Sequence, residues 1–212
     1  MKPVPYPLDR LVSRARDLAA TGPRRLLGIT GAPGVGKSTV AGRLVAALGP
    51  AAALVPMDGF HLAEAELHRL GRQARKGAPD TFDGAGFVAL LRRLREPEAG
   101  TVYAPEFRRE IEEPIAGAIP VTPSVRLVVV EGNYLLVPDH PWGVVRDLLD
   151  EIWFLDLAEP ERLRRLTDRH VAYGRPPAEA AARARGSDQA NAEVIAGTAG
   201  RADLVIRLIP DT

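Results

Sequence analysis

Residues 28–39, GITGAPGVGKST, join an apolar lead-in to a glycine-rich loop that ends in Lys-Ser-Thr. Gly31, Gly36, Lys37 and Ser38 satisfy G-x-x-x-x-G-K-[ST], a pattern that restricts the fold because it needs a strand before it and a helix after it. The helix N-terminus and the loop N–H groups together make the anion site. Both flanks comply: LLGIT (26–30) is strand-like and 37–48 is helical in pattern. Glycines 31, 34 and 36 (Gly31, Gly34, Gly36), with Ala32, Pro33 and Val35 between them, let the backbone curl around phosphate oxygens. Lys37 bridges the β- and γ-phosphates, Ser38 offers its hydroxyl to Mg2+, and Thr39 closes the stretch. The expected guest is a nucleoside triphosphate.

Four further apolar or β-branched runs have strand length: AALVPM (52–57), VRLVVVEG (125–132), EIWFLDL (151–157) and DLVIRLI (203–209). Their apolarity is continuous, not alternating, so they are expected to be buried on both faces of a parallel sheet. Helical stretches fall between them at 85–96, 141–149, 159–173 and 188–198. The expected fold is α/β, a doubly wound parallel sheet in a three-layer α/β/α sandwich, formed as one domain over 1–212. Within it, 1–22 is read as an N-terminal amphipathic helix carrying Leu8, Leu11, Val12, Ala15 and Leu18 on one face. The interval 59–124 lacks a strong core strand and is read as a substrate flap, and 158–190 as an arginine-bearing lid.

Two acids follow strands. The second strand ends in PMDGFH, which places Asp58 at the sheet edge where open α/β sheets bind ligands. A carboxylate there accepts the proton of an attacking hydroxyl or reaches Mg2+ through water. Within LVVVEGNY, Glu131 ends the apolar strand in the position of a Walker-B acid and is assigned to Mg2+, with Asn133 and Tyr134 beside it as pocket candidates. In EPERLRRLTDRH, Arg162, Arg165 and Arg169 share one helical face, a stripe that can balance triphosphate charge.

Composition removes other classes. The chain has 28 basic and 27 acidic residues, a formal net charge of +1, so no bulk field gathers nucleic acid or an anionic membrane. It has no cysteine, which excludes thiolate metal sites and a thiol nucleophile. No run reaches the ~18 apolar residues of a membrane span, and the N-terminal stretch lacks a continuous apolar segment. The expectation is a cytoplasmic protein with no nucleic-acid or membrane partner. Only three of the 28 cations are lysines, Lys2, Lys37 and Lys76.

The segments GAPGVGKST, MDGFH, RKGAPDTFD, YAPEFRREIEEPIAGAI, VVVEGNYLL and SDQANAEVI, in this order, resemble the phosphoribulokinase/uridine kinase/bacterial pantothenate kinase superfamily of P-loop kinases. The likeness spans about residues 24–209 and is most similar to the branch described as nucleoside/nucleotide kinase-like or fructose-transport-kinase-like. It implies an ATP- and Mg2+-dependent kinase acting on a hydroxyl of a small metabolite, in which Lys37 and Ser38 bind triphosphate and metal and Asp58 is the base. Glu131 is then the metal-associated acid, Arg165 and Arg169 match lid arginines, and Asn191 lies near the nucleotide. His61, Tyr103, Phe107 and Arg109 match the part that contacts the acceptor, although Arg108 stands where the family often has an acid. His68, His140 and His170 receive no assignment.

The resemblance places uridine or a related nucleoside first among acceptors, with a fructose-like sugar or pantothenate as alternatives. A nucleoside monophosphate kinase is the competing enzyme, since GAPGVGK also resembles the adenylate kinase loop; Asp58 argues against it, because a phosphate acceptor needs no base. A nucleotide switch is disfavoured by the absence of N-K-x-D. A non-catalytic nucleotide-binding module stays as a further alternative. Kinases of this superfamily are often dimers or tetramers, and nothing in the sequence locates an interface.

Overall fold

A computed structural model describes residues 3–20, 22–96 and 100–208 of the chain. Residues 1, 2 and 21 of the N-terminal segment, 97–99 of the expected flap and 209 of the last expected strand lie outside them. The chain runs β1 (Val4–Tyr6), α1 (Leu8–Ala20), β2 (Arg25–Thr30), α2 (Lys37–Leu48), β3 (Ala52–Pro56), α3 (Glu64–Arg69), α4 (Gly84–Arg95) and the hairpin β4 (Val102–Arg108) and β5 (Glu113–Val121). It continues through β6 (Leu127–Glu131), α5 (Val145–Leu148), β7 (Glu151–Asp156), α6 (Glu159–Ala172), α7 (Pro177–Arg185), α8 (Ser187–Ala196) and β8 (Leu204–Leu208).

Six strands form one parallel sheet in the order β1-β8-β7-β2-β6-β3. Alternate residues of the central strands enter two different cores. Leu26, Val128, Val130, Ile152 and Phe154 join the core covered by α4 and the hairpin. Leu27, Ile29, Val129, Trp153 and Leu155 join the one covered by α1 and α2. Two apolar faces are why these strands read as unbroken hydrophobic runs. The three-layer doubly wound arrangement follows.

The chain crosses from β2 to β3 on one side of the sheet and later continues through β7 and β8 on the other. This switch of direction opens a crevice at the carboxyl end of β2, where ligands of such sheets bind. Register sets its floor: Glu131 at the end of β6 is level with Ile29 on one neighbour and Pro56 on the other.

Three features differ from the sequence reading. Val4–Tyr6 forms a short parallel edge strand on β8, hidden by the prolines around it, which an edge tolerates. The helix expected at 141–149 is a 3-10 turn, Trp142–Val144, followed by a single α-turn. Within 59–124, β4 and β5 pair only with each other, yet Phe87, Leu91 and Val102 of this interval are buried core residues.

Candidate active site

The loop between β2 and α2 is held from both ends. Gly34 has φ +87°, and a Cβ there would lie 2.7 Å from Leu166 Cγ and 3.0 Å from the Arg162 carbonyl, so only glycine lets α6 pack directly on the loop. Arg162, 3% exposed, donates to the Pro33 carbonyl (3.4 Å) and to the Gln189 side chain, tying the loop to α6 and α8. Underneath, Val35 is buried in the core.

Lys37 opens α2 at 7% exposure, and its Nζ donates to the carbonyls of Gly31 (2.9 Å) and Ala32 (3.2 Å). Burial pushes its pKa below the ordinary lysine value, while Glu131 and Asp58 act in the opposite sense. Ser38 Oγ donates to Glu131 Oε2 across 3.3 Å. Burial pushes the Glu131 carboxyl up, and the Lys37 charge opposes that shift.

Asp58 lies in the 3-10 turn Met57–Phe60 that follows β3. That turn is wedged by two close approaches. A Cβ at Gly59 would come within 2.4 Å of the Pro105 carbonyl of the hairpin, and one at Gly132 within 2.6 Å of Met57 Cβ. The glycines of MDG and EGN are thus packing partners of the same turn. From the hairpin tip, Arg109 Nη2 reaches Asp58 Oδ2 at 3.5 Å, and its guanidinium lies 5.7 Å from the Tyr173 ring centroid.

A cavity of about 390 Å3 joins these groups, with Lys37, Ser38, Thr39, Asp58 and Glu131 on its floor. Pro33, Gly34, Gly36 and Asn133 also line it, and Arg109, Arg165 and Arg169 complete its wall. Arg165 is bound to Glu161 within its own helix (2.7 Å). Arg169 has its pKa lowered by burial and by neighbouring Arg109. The arginine stripe divides by depth: the first member is locked under the loop and the next two face the cavity.

A second cavity of about 130 Å3 shares Asp58, Arg109, Asn133 and Arg169 with the first and extends away from the loop. His61 and Phe107 line it, with His61 stacked 4.0 Å from Phe82 and 4.7 Å from Phe107 between ring centroids. Burial pushes the His61 pKa down. Asn191 also lies here, its Nδ2 donating to the Gly77 carbonyl at 3.3 Å, and it does not line the loop-side cavity.

Several sequence candidates sit elsewhere. Tyr134 is fully buried against Phe82 and Trp142 with its hydroxyl on the Gly77 carbonyl, so it supports the pocket from beneath and lines no part of it. Tyr103 is 57% exposed on β4 opposite Pro120, remote from either cavity lining. Ala32 and Val35 line a separate groove with Phe154 and Leu155. The sequence reading missed the Arg162–Gln189 tie, Lys76 and Arg183. Lys76, bonded to Glu64 Oε2 (3.0 Å) and the Glu112 carbonyl (2.7 Å), carried a signal as a lysine in an arginine-rich chain. Arg183 carried none.

Mg2+ fits this donor set. Among the described residues no group of three or more His, Cys, Asp or Glu forms a metal cage. Ser38 and Glu131 converge instead as hard oxygen donors beside the triphosphate loop, and Mg2+ is commonly bound by one or two carboxylates together with substrate phosphates.

Fold and site together define a P-loop nucleotide-binding protein with a second recess beside the loop-side cavity. No protein-family model matches the chain. A Schizosaccharomyces pombe protein provisionally named a uridine kinase is 34% identical over 175 residues, covering 78% of this chain and 74% of that one. A pantothenate kinase of Clavibacter michiganensis is 33% identical over 212 residues, with 86% and 66% covered. The solved structure of a Silicibacter protein, provisionally named a fructose transport system kinase, superposes with a TM-score of 0.86 at 37% identity, over 94% of this chain and 98% of that one. The chain belongs to the family of P-loop kinases that holds these uridine kinase and pantothenate kinase relatives. No helix among the described residues is long and apolar enough to cross a membrane.

Proposed function

We propose that the protein transfers the γ-phosphoryl group of ATP to a hydroxyl of a small metabolite, with Asp58 as general base. The observation that carries this reading is the meeting of Lys37, the Ser38–Glu131 pair and Asp58 in one cavity, from the carboxyl ends of three neighbouring strands. The relatives' names supply nucleosides, pantothenate and sugars as acceptor types, and all present a hydroxyl.

In the reaction the acceptor oxygen attacks in line, the new O–P bond forms, the bond from the γ-phosphorus to the β–γ bridging oxygen breaks, and ADP leaves. Asp58 takes the hydroxyl proton. Lys37, Arg165 and Arg169 balance charge on the phosphates, and the loop N–H groups orient them. Arg109, 3.5 Å from the Asp58 carboxylate, holds it in place. His61, Asn133 and Asn191 shape the acceptor side. Ser38 and Glu131, with Asp58 nearby, would hold Mg2+, which would supply neutralising charge at the phosphate oxygens when bound.

Asp58→Asn tests the base directly. Turnover of Mg-ATP with a cognate acceptor is expected to fall by ~10²–10⁴, the usual contribution of a general base, with ATP affinity retained. A fall below about tenfold removes the role. Turnover confined to nucleoside monophosphates assigns the protein to the other kinase class.

A further inference from the structure

The acceptor recess opens into a larger polar cavity of about 570 Å3, and the two share Lys76, Arg109, Glu112, Arg169, His170 and Arg183. Acids answer only some of these basic side chains. Lys76 pairs with Glu64 at 3.0 Å and Glu112 at 3.5 Å, His170 with Asp188 at 2.7 Å, and Arg109 with Asp58 at 3.5 Å. Arg169 and Arg183 have no ion pair or side-chain hydrogen bond among the described residues, and Arg175 at the outer rim has none either. Arg169 also borders the loop-side cavity and is available to the triphosphate; Arg183, half-buried in the last turn of α7, is not.

Of the groups lining the recess that could read an uncharged nucleoside base, His61 and Asn191 are already engaged. His61 is stacked between Phe82 and Phe107, and the amide of Asn191 and the hydroxyl of Tyr134 both go to the Gly77 carbonyl. What faces the recess without a side-chain partner is the Asn133 amide and the guanidinium groups of Arg169 and Arg183. Like charges gathered in a cleft repel one another until an anion enters, and a planar guanidinium suits carboxylate or phosphate oxygens through paired N–H donors.

We infer that the acceptor carries, besides the hydroxyl it presents to Asp58, a carboxylate or phosphate group, and that Arg183 together with Arg169 receives it. This rests on the kinase reading above and names the acceptor's class. Arg183 is then a specificity residue on α7.

The first experiment needs no turnover. Protein saturated with Mg-ADP, at ionic strength held constant with sodium chloride, is titrated with low-millimolar sulfate while its melting temperature is followed. A saturable rise in the native protein that is lost in Arg183→Gln and kept in part by Arg183→Lys is expected. Equal rises in native and Arg183→Gln protein overturn the anion seat.

The second compares matched acceptors: pantothenate with panthenol, glycerate with glycerol, ribulose 5-phosphate with ribulose, and uridine. Turnover of a charged member alone, with KM raised about tenfold or more in Arg183→Gln and kcat within about threefold, is the expected result. The first two pairs report a carboxylate and the third a phosphate. Equal turnover of a neutral member, or of uridine, overturns the charged-acceptor class and leaves the kinase reading standing. A sulfate response that depends on Arg183, with no turnover of any alcohol, instead sinks the kinase reading and keeps the seat.

Discussion

The two walls of the cleft are built in different ways. On the triphosphate side one continuous segment, 31–39, does most of the work through its backbone, clamped between the core beneath Val35 and the underside of α6. On the acceptor side the groups arrive singly: Asp58 from the turn after β3, Arg109 from the hairpin tip, Arg183 from α7 and Asn191 from α8. The first wall is local in sequence and rigid; the second is non-local and rests on long, partly solvated side chains. A ligand common to a whole superfamily suits the first kind of wall, and a ligand that differs between members suits the second.

Substitutions on the two walls should therefore fail differently. Lys37→Ala removes a buried charge and both bonds to loop carbonyls, and ATP affinity should fall by about 10–10²-fold, the scale of a lost charge-assisted hydrogen bond. Calorimetric titration with ATP checks this, and unchanged affinity removes the loop from triphosphate binding.

Gly34→Val should cost about 2–4 kcal/mol of folding stability, since it adds a strained positive φ to an overlap with Leu166 and the Arg162 carbonyl. Urea unfolding reads it. A near-native midpoint means that α6 does not clamp the loop as the structure shows.

Arg109→Ala sharpens the contrast. Its pair with Asp58 leaves the side chains 41% and 35% exposed, so stability should change by less than about 1 kcal/mol while acceptor KM or turnover suffers. A stability loss as large as that of Gly34→Val makes the hairpin tip a structural element, and the distinction between the walls collapses.

The smallest effect is one of pH. His61 has a folded pKa below its ordinary 6.5 because it is buried, so between these values the unfolded chain binds the extra proton and the folded one does not. Its contribution to stability is intact above pH 6.5 and is lost as the pH falls toward the folded value. Urea midpoints on either side of pH 6.5 should show this loss, and His61→Gln should flatten that part of the profile.

How far the sequence carries can be seen residue by residue. Gly31 to Ser38, Asp58 and Glu131 are legible because each belongs to a short segment whose neighbours declare a strand end, and the ends of adjacent parallel strands necessarily share one edge of the sheet. Tyr134 follows such a strand end and still turns inward, since its ring is worth more against Phe82 and Trp142 than in water, a preference that spacing alone does not reveal. Arg162 and Arg169 share one stripe and one chemistry; only the docking of α6 on Gly34 decides that the first is buried and the other faces the cavity.

The chain by itself thus determined the parallel α/β sandwich, the triphosphate loop and the two acids beside it. These depend on hydrophobic patterning and backbone geometry, which are written in consecutive residues. The tertiary structure decided which arginines face the second recess and which acids already answer them. Electrostatic pairing between residues as distant as Lys76 and Glu112, or His170 and Asp188, exists only after the chain has folded.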